Sequence, residues 1–352
     1  MLDENSIFAQ EIESVRTTGS EFKVIVKCLE LGIDYKAKGT VSRHIKGDCS
    51  CSFTPEKYSK EAFIRSSTHE KREVKIAVVD IERAMGYFEW ENYRGSRVIE
   101  DGVERKVGGL TISGDFWSLN DYMKVIGRIP WEAIKERSRN ICAAWGWIGS
   151  DEIHFASEWD DGRDGLAKKL WHVLDKADIV VGQNMRNFDR KHIQTELLMS
   201  ANYGNRPPSP FKVIDTLTIL RSEFAFESNK LDAACTFMGL PAKTDHLNYE
   251  FTKAAVNGDK EAQKRMEEYN KGDIIATTEL YLKLLPWIKN HPNVAPIRGA
   301  LEVLCQRCGS DDVTREGYFS PAVLVYRKYR CNTCGGNFRS THELKGATAK
   351  NI

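Results

Sequence analysis

Between residues 71 and 292 the apolar positions change period several times, and each change marks an element. Lys75 to Ile81 is a short run rich in Val and Ile, the pattern of a buried strand. Ile141 to Ile148 and Ile153 to Phe155 predict two more strands, with Gly149-Ser150-Asp151 as the hairpin turn between them. Leu166, Leu170, Val173 and Leu174 share one face of a helix predicted over Asp164 to Lys176. A strand over Ala177 to Gly182, a helix over Phe188 to Ser200 and a strand over Lys212 to Asp215 follow. Helices over Asn229 to Met238 and Asp259 to Leu285 complete the region. A meander of three strands, then alternating helices and strands, predicts an α/β domain with a mixed sheet flanked by helices.

The flanks read differently. Residues 1–70 carry helix-like apolar spacing over Ser6 to Val15 and Glu21 to Leu31, with Gly32 as a stop and a third helix starting near Thr40. Residues 29–47 resemble a helix-turn-helix, whose third helix enters the major groove. The turn after Gly32 is longer than that motif wants, so a small helical appendage with a solvated basic face stands beside it. An insertion over residues 83–138 holds Tyr87, Phe88, Trp90, Tyr93, Phe116, Trp117, Tyr122 and Trp131. These rings either pack the insertion onto the sheet or form a wall for unpaired bases. Pro292 and Pro296 bracket a linker, residues 293–345 form a third part, and residues 346–352 read as a disordered tail.

Charge and cysteine usage narrow the class. The net charge is only +1, so nucleic-acid binding has to come from local patches. No apolar run reaches the ~18 residues that span a bilayer, and the acidic N-terminus lacks a signal-peptide core. A cytoplasmic location without membrane contact is expected. Nine cysteines then read as thiols and metal ligands rather than disulfides. Cys28, Cys142 and Cys235 fall on apolar faces as core thiols, and Cys49-Ser50-Cys51 with His44 and His69 is a weak second metal cluster.

The chemistry lies in four carboxylates. Asp80 and Glu82 are two apart at the end of the first apolar strand, so they project to the same face. Such a pair repels itself unless a cation neutralises it. Oxygen-rich sites of this kind suit magnesium or manganese. Asp189, at a helix entrance, and Asp273, on the last long helix, complete a set that can converge on two divalent ions. Tyr269 lies four residues before Asp273, on the same helical face, where its hydroxyl can orient an attacking water. Singly, each has a plainer explanation: a strand-end turn, a helix N-cap at Asp189, a packed aromatic at Tyr269.

Together the segments resemble the three motifs of the DEDD (DnaQ-like) 3′–5′ exonuclease superfamily, whose fold is ribonuclease-H-like. Val79-Asp80-Ile81-Glu82 is similar to the first, Gly182 to Asp189 to the second and Tyr269-x-x-x-Asp273 to the third, in its tyrosine form. The second motif, Ile214-Asp215-Thr216-Leu217 and Lys230-Leu231-Asp232 are closest to the proofreading domain of family-B DNA polymerases. The resemblance covers about residues 72–290 and departs from the family at the insertion after Glu82. It implies a stand-alone phage-type nuclease, cutting DNA from the 3′ end with two Mg2+ or Mn2+ ions held by Asp80, Glu82, Asp189 and Asp273. It also implies that Asn184 and Phe188 contact the terminal nucleotide; Asp215 either holds structure or supports the metal shell. An RNA exonuclease of the same fold is one alternative. A nucleic-acid-binding regulator with an inactive nuclease core is another.

A second site follows from Cys305-Gln306-Arg307-Cys308 and Cys331-Asn332-Thr333-Cys334, two CxxC pairs with 22 residues between them. Two tight knuckles of this kind supply four thiolates for one structural Zn2+, and the segment resembles a zinc ribbon. Gly309 and Gly335 follow each pair, where a turn needs positive φ. Arg327-Lys328-Tyr329-Arg330 interleaves charge and aromatics, a pattern for a nucleic-acid backbone. Replication or repair proteins are the other partners this ribbon suggests.

Overall fold

The computed structural model describes residues 12–18, 21–28, 33–39, 73–100, 103–241, 248–297, 303–321 and 324–344. The chain divides into two compact units, one of Lys75–Lys289, the other of Met1–Val74 and Asn290–Ile352. Near the N-terminus, β1 (Ile12–Thr18), β2 (Glu21–Cys28) and β3 (Ile33–Gly39) form an antiparallel sheet in that order. This corrects the helix expected over Ser6 to Val15 at Ile12 to Val15, and the one expected over Glu21 to Leu31 at Glu21 to Cys28; the rest of both lies outside the described residues. Phe22, Val24, Val26 and Cys28 alternate at period 2, and a β-branched centre of Val24, Ile25 and Val26 favours the pleat over a helix. The third helix expected at Thr40 to Ile45 and the Cys49, Cys51, His44 and His69 cluster lie outside the described residues.

In the Lys75–Lys289 unit, β4 (Ile76–Ala84) leads into the insertion. The insertion is built of β5 (Gly86–Tyr93), β6 (Ser96–Glu100), β7 (Val103–Val107), β8 (Leu110–Phe116) and β9 (Ile134–Glu136). Then come β10 (Arg139–Trp147), β11 (Ile153–Ser157), α1 (Glu158–Lys176), β12 (Ile179–Gly182), α2 (Asp189–Met199) and β13 (Lys212–Asp215). Four helices follow: α3 (Thr216–Glu223), α4 (Leu231–Phe237), α5 (Tyr249–Val256) and α6 (Lys260–Leu284). The main sheet has the order β11-β10-β4-β12-β13. Strand β10 runs antiparallel to β11 and β4, while β12 runs parallel to β4 and β13. It is therefore a mixed sheet, as the strand order in the sequence predicts, with β4 at its centre.

Period 2 along β4 decides what each face does. Ala77, Val79 and Ile81 are buried in one core with Leu166, Leu170, Trp171 and Leu174 of α1 and Ile193 of α2. Asp80 and Glu82 project to the other face, where Asn270 of α6 donates to Asp80. Gly146 of β10 lets α6 approach: a Cβ there would lie 3.2 Å from the Ile274 side chain. Helix α1 begins earlier than Asp164 because Ser157 caps a first turn, and Gly162 (φ 68) then breaks the helical geometry. The apolar face read from the sequence starts only after that break.

The insertion makes its own core from Phe88, Phe116, Ile129 and Ala133, with Trp90 and Tyr122 against it. For these rings the packing reading holds, on each other rather than on the main sheet. Arg139, buried at the insertion's exit, binds Glu158 of α1 through Nε (2.8 Å) and Nη2 (2.9 Å) and Glu136 through Nη1 (2.5 Å). The two carboxylates offset the cost of burying this guanidinium at the junction. In the other unit, β14 (Val313–Phe319), β15 (Val325–Cys331) and β16 (Asn337–Leu344) form a three-stranded antiparallel sheet. Among the described residues no helix is long and apolar enough to cross a membrane.

Candidate metal centre and adjoining cleft

Three of the four expected carboxylates meet. Asp80, Glu82 and Asp273 each bring an oxygen within 4.8 Å of the others. The first two come from the end of β4 and the third from α6. Asn270, three residues before Asp273 on the same helix, donates from Nδ2 to Asp80 Oδ2 at 2.6 Å. Asn270 is fully buried and fixes the direction of that carboxylate. The sequence held its signal: a polar residue at i−3 from a metal-ligand candidate shares its face.

Asp189 stands beside this cluster and is 3 % exposed. It is the first residue of α2 and not its N-cap, which is Phe188. Burial pushes its carboxyl up to about 7, Asp215 and Asp273 add to the rise, and the backbone N–H groups of Asp189 and Ile81 oppose it. A carboxylate held among others in this way accepts either a proton or a cation. The three converging carboxylates, with Asp189 beside them, could therefore bind a hard divalent ion.

That shift has a sign that can be measured. The folded value lies above the ordinary 3.8, so the folded protein without metal binds a proton that the unfolded chain has lost. This contribution to stability is present at low pH and declines as the pH rises from about 4 to about 7. A magnesium ion bound by Asp189 would displace the proton, so its stabilising effect should grow across the same window and level off above it. Melting curves with and without MgCl2 between pH 5 and 8 test this; a magnesium effect independent of pH would detach Asp189 from the site.

The loop before Asp189 is held by Asp215. Asp215 Oδ1 accepts from the backbone N–H of Asn184 (3.2 Å) and Thr218 (3.2 Å), and Oδ2 from that of Arg186 (2.9 Å). Its role is thus to cap α3 and anchor this loop. Asn184 has φ +62, a left-handed conformation that asparagine tolerates better than most residues. Gly182 is needed for close approach: a Cβ there would lie 2.9 Å from the Val79 carbonyl oxygen of β4.

A cleft of about 660 Å3 opens beside Glu82 and Tyr269. Arg83, Phe188 and His192 line it, and so do Trp117 of the insertion and Tyr249 of α5. Asn184 is not among its lining residues. Burial, followed by Glu82, Asp273 and Asp80, raises the Tyr269 phenol well above its ordinary value. Tyr269 therefore stays protonated at neutral pH in the metal-free protein. His192 is pushed down to about 4 by burial and by Arg83, and stays neutral at physiological pH.

The four cysteines of the second site also meet. Cys305, Cys308, Cys331 and Cys334 bring their sulfurs within 4.8 Å of one another. Each knuckle closes in the same way, with Gly309 N–H to the Cys305 carbonyl and Gly335 N–H to the Cys331 carbonyl, both at 2.9 Å. Gly309 (φ 74) and Gly335 (φ 75) take the positive φ expected of them. Four converging sulfurs could hold a zinc ion. On the ribbon sheet, Glu316 pairs with Arg330 (2.6 Å) and Lys328 (3.5 Å), while the Arg339 guanidinium lies over the Tyr326 ring. Cys142 and Cys235 are buried thiols, as expected. No family model matches this chain, and no curated protein matches it.

Proposed function

We propose that this chain is a metal-dependent 3′–5′ exonuclease that hydrolyses the phosphodiester bonds of DNA. The observation that carries the reading is the convergence of Asp80, Glu82 and Asp273, with Tyr269 one turn before Asp273. Supporting it, the three-strand meander followed by parallel β12 and β13 is the strand order that a ribonuclease-H-like fold would give. On this reading Asp80, Glu82, Asp189 and Asp273 hold two Mg2+ or Mn2+ ions. Such a pair supplies an activated water and neutralises charge on the phosphate and the leaving oxygen.

The chain's own residues do the rest. Asn270 orients Asp80. Asp215 fixes the loop that delivers Asp189. Tyr269, protonated and partly buried, orients the attacking water by a hydrogen bond. Phe188 offers a ring to the terminal nucleotide. The ribbon, with one structural Zn2+ and its basic residues, adds a contact to nucleic acid or to a replication or repair protein.

End-labelled single- and double-stranded DNA and RNA, incubated with magnesium, manganese or EDTA, test the proposal. Stepwise shortening of 5′-labelled DNA in either metal and none in EDTA is expected. Shortening of RNA alone would reassign the substrate. No shortening of any strand would leave the regulator with an inactive core as the better reading.

A further inference from the structure

Asn140, near the start of β10, is 4 % exposed, and its side-chain Oδ1 and Nδ2 are both buried without a hydrogen-bond partner. Among the described residues no other side chain has two polar atoms in that state. A buried donor and acceptor left unmet are costly, so such a group in a folded chain points to a ligand or to water. The surroundings of this carboxamide decide between them.

Asn140 lines a pocket of about 160 Å3 between β10, α1 and α2. Leu166, Ala167 and Leu170 of α1 form its apolar side. They pack with Val79 and Ile81, on the face of the sheet opposite Asp80 and Glu82, so the pocket is separate from the metal centre. Met199 and Arg163, both more than half exposed, line it where it meets solvent. Both side chains are long and unbranched, and can give way to a ligand that reaches the carboxamide. The ions of the lining are largely matched. Arg163 pairs with Glu136 (3.0 Å) and Glu158 (3.6 Å), and Glu196 with Arg137 (3.5 Å). Asp164 adds a negative charge to the lining, so a neutral ligand is favoured over a phosphate.

We propose that this pocket binds a small neutral heterocycle of the aminopyrimidine type, whose edge carries a hydrogen-bond donor beside an acceptor. Asn140 Oδ1 accepts from the exocyclic amino group and Nδ2 donates to the neighbouring ring nitrogen, the side-by-side pairing by which a carboxamide recognises a base edge. A dry cavity of about 150 Å3 takes one benzene-sized ring, so a single six-membered ring is the size that fits. Leu166 and Leu170 give its faces apolar contact. In the sheet Asn140 stands opposite Arg83, the residue after Glu82, so an occupant sits behind the strand end that carries the metal centre. The pocket needs neither metal ions nor a DNA strand, and stands apart from the exonuclease reading.

The full-length protein in EDTA, titrated with cytosine and followed by calorimetry or ligand-observed NMR, tests this. A Kd of about 0.1–1 mM is expected for so small a ligand. Cytosine dimethylated on its amino group keeps the ring and loses the donor, while propanamide keeps the edge and loses the ring. Each should bind at least about tenfold more weakly. Asn140→Leu removes both polar atoms at similar volume. It should weaken cytosine binding at least about tenfold while its melting temperature stays level or rises. Met199→Trp, at the exposed rim, fills the mouth and should weaken binding as much, even if Asn140→Leu fails to fold. Wild-type protein that binds no cytosine overturns the site and leaves the carboxamide to water. Binding unchanged in Met199→Trp and in folded Asn140→Leu overturns it too, as does equal binding of the dimethylated base or of propanamide. The titration holds no metal, so its outcome and that of the trimming assay are independent.

Discussion

On the proposed exonuclease reading, Asp273→Asn is expected to lower the trimming rate by about a thousandfold, because metal stabilisation of a phosphoryl transition state amounts to several kcal/mol. The substitution keeps the shape of the side chain and removes its charge. Asp273 is 6 % exposed and faces Asp80 and Glu82, so the change also relieves repulsion in the metal-free protein. Its melting temperature without metal should therefore stay level or rise, while the increment on adding magnesium shrinks. Loss of activity from misfolding would lower both. Initial rates on 5′-labelled DNA, with melting curves of the same samples, separate the two. A variant that trims at the wild-type rate would remove Asp273 from the site.

Much of this centre is legible in the sequence, since period and spacing act locally. Two residues apart on a strand means one face, which placed Asp80 with Glu82 on the side opposite the α1 core. Four apart on a helix means one face, which placed Tyr269 near Asp273. What the sequence withheld is set by contacts distant along the chain. Asn270 is significant only once α6 is known to cross the face that carries Asp80. Trp117 belongs to the cleft only because Asp115 meets Tyr249, 134 residues away. Helices α3 and α5 were missed though both carry a capping signal, Asp215 and Asn248 respectively. Each has eight residues, too few for periodicity to speak against the surrounding loop. Strand β2 misled in the opposite direction: its apolar residues satisfy both periods in part, and sheet partners β1 and β3 decide the outcome.

Removing the metal from the ribbon should unfold it while leaving the Lys75–Lys289 unit intact. Among its described residues, Val294, Cys305, Tyr326 and Cys331 are the buried apolar groups, and Tyr326 is the one large side chain among them. So small a core cannot offset the conformational entropy of ordering three strands. Zinc binding to four cysteines contributes about 10–16 kcal/mol in small domains, ample to make up the difference. Without a cation the thiols compete for few protons: hydrogen bonds, chiefly from Cys308, pull Cys305 down to about 4, while burial lifts Cys334 to about 11. One zinc per chain is expected by elemental analysis of the full-length protein, falling well below one in Cys331→Ser. Limited proteolysis after chelation, or of that variant, should cleave within the ribbon strands and spare the larger unit. A chelated ribbon as resistant as the native one would mean that its strands hold without metal.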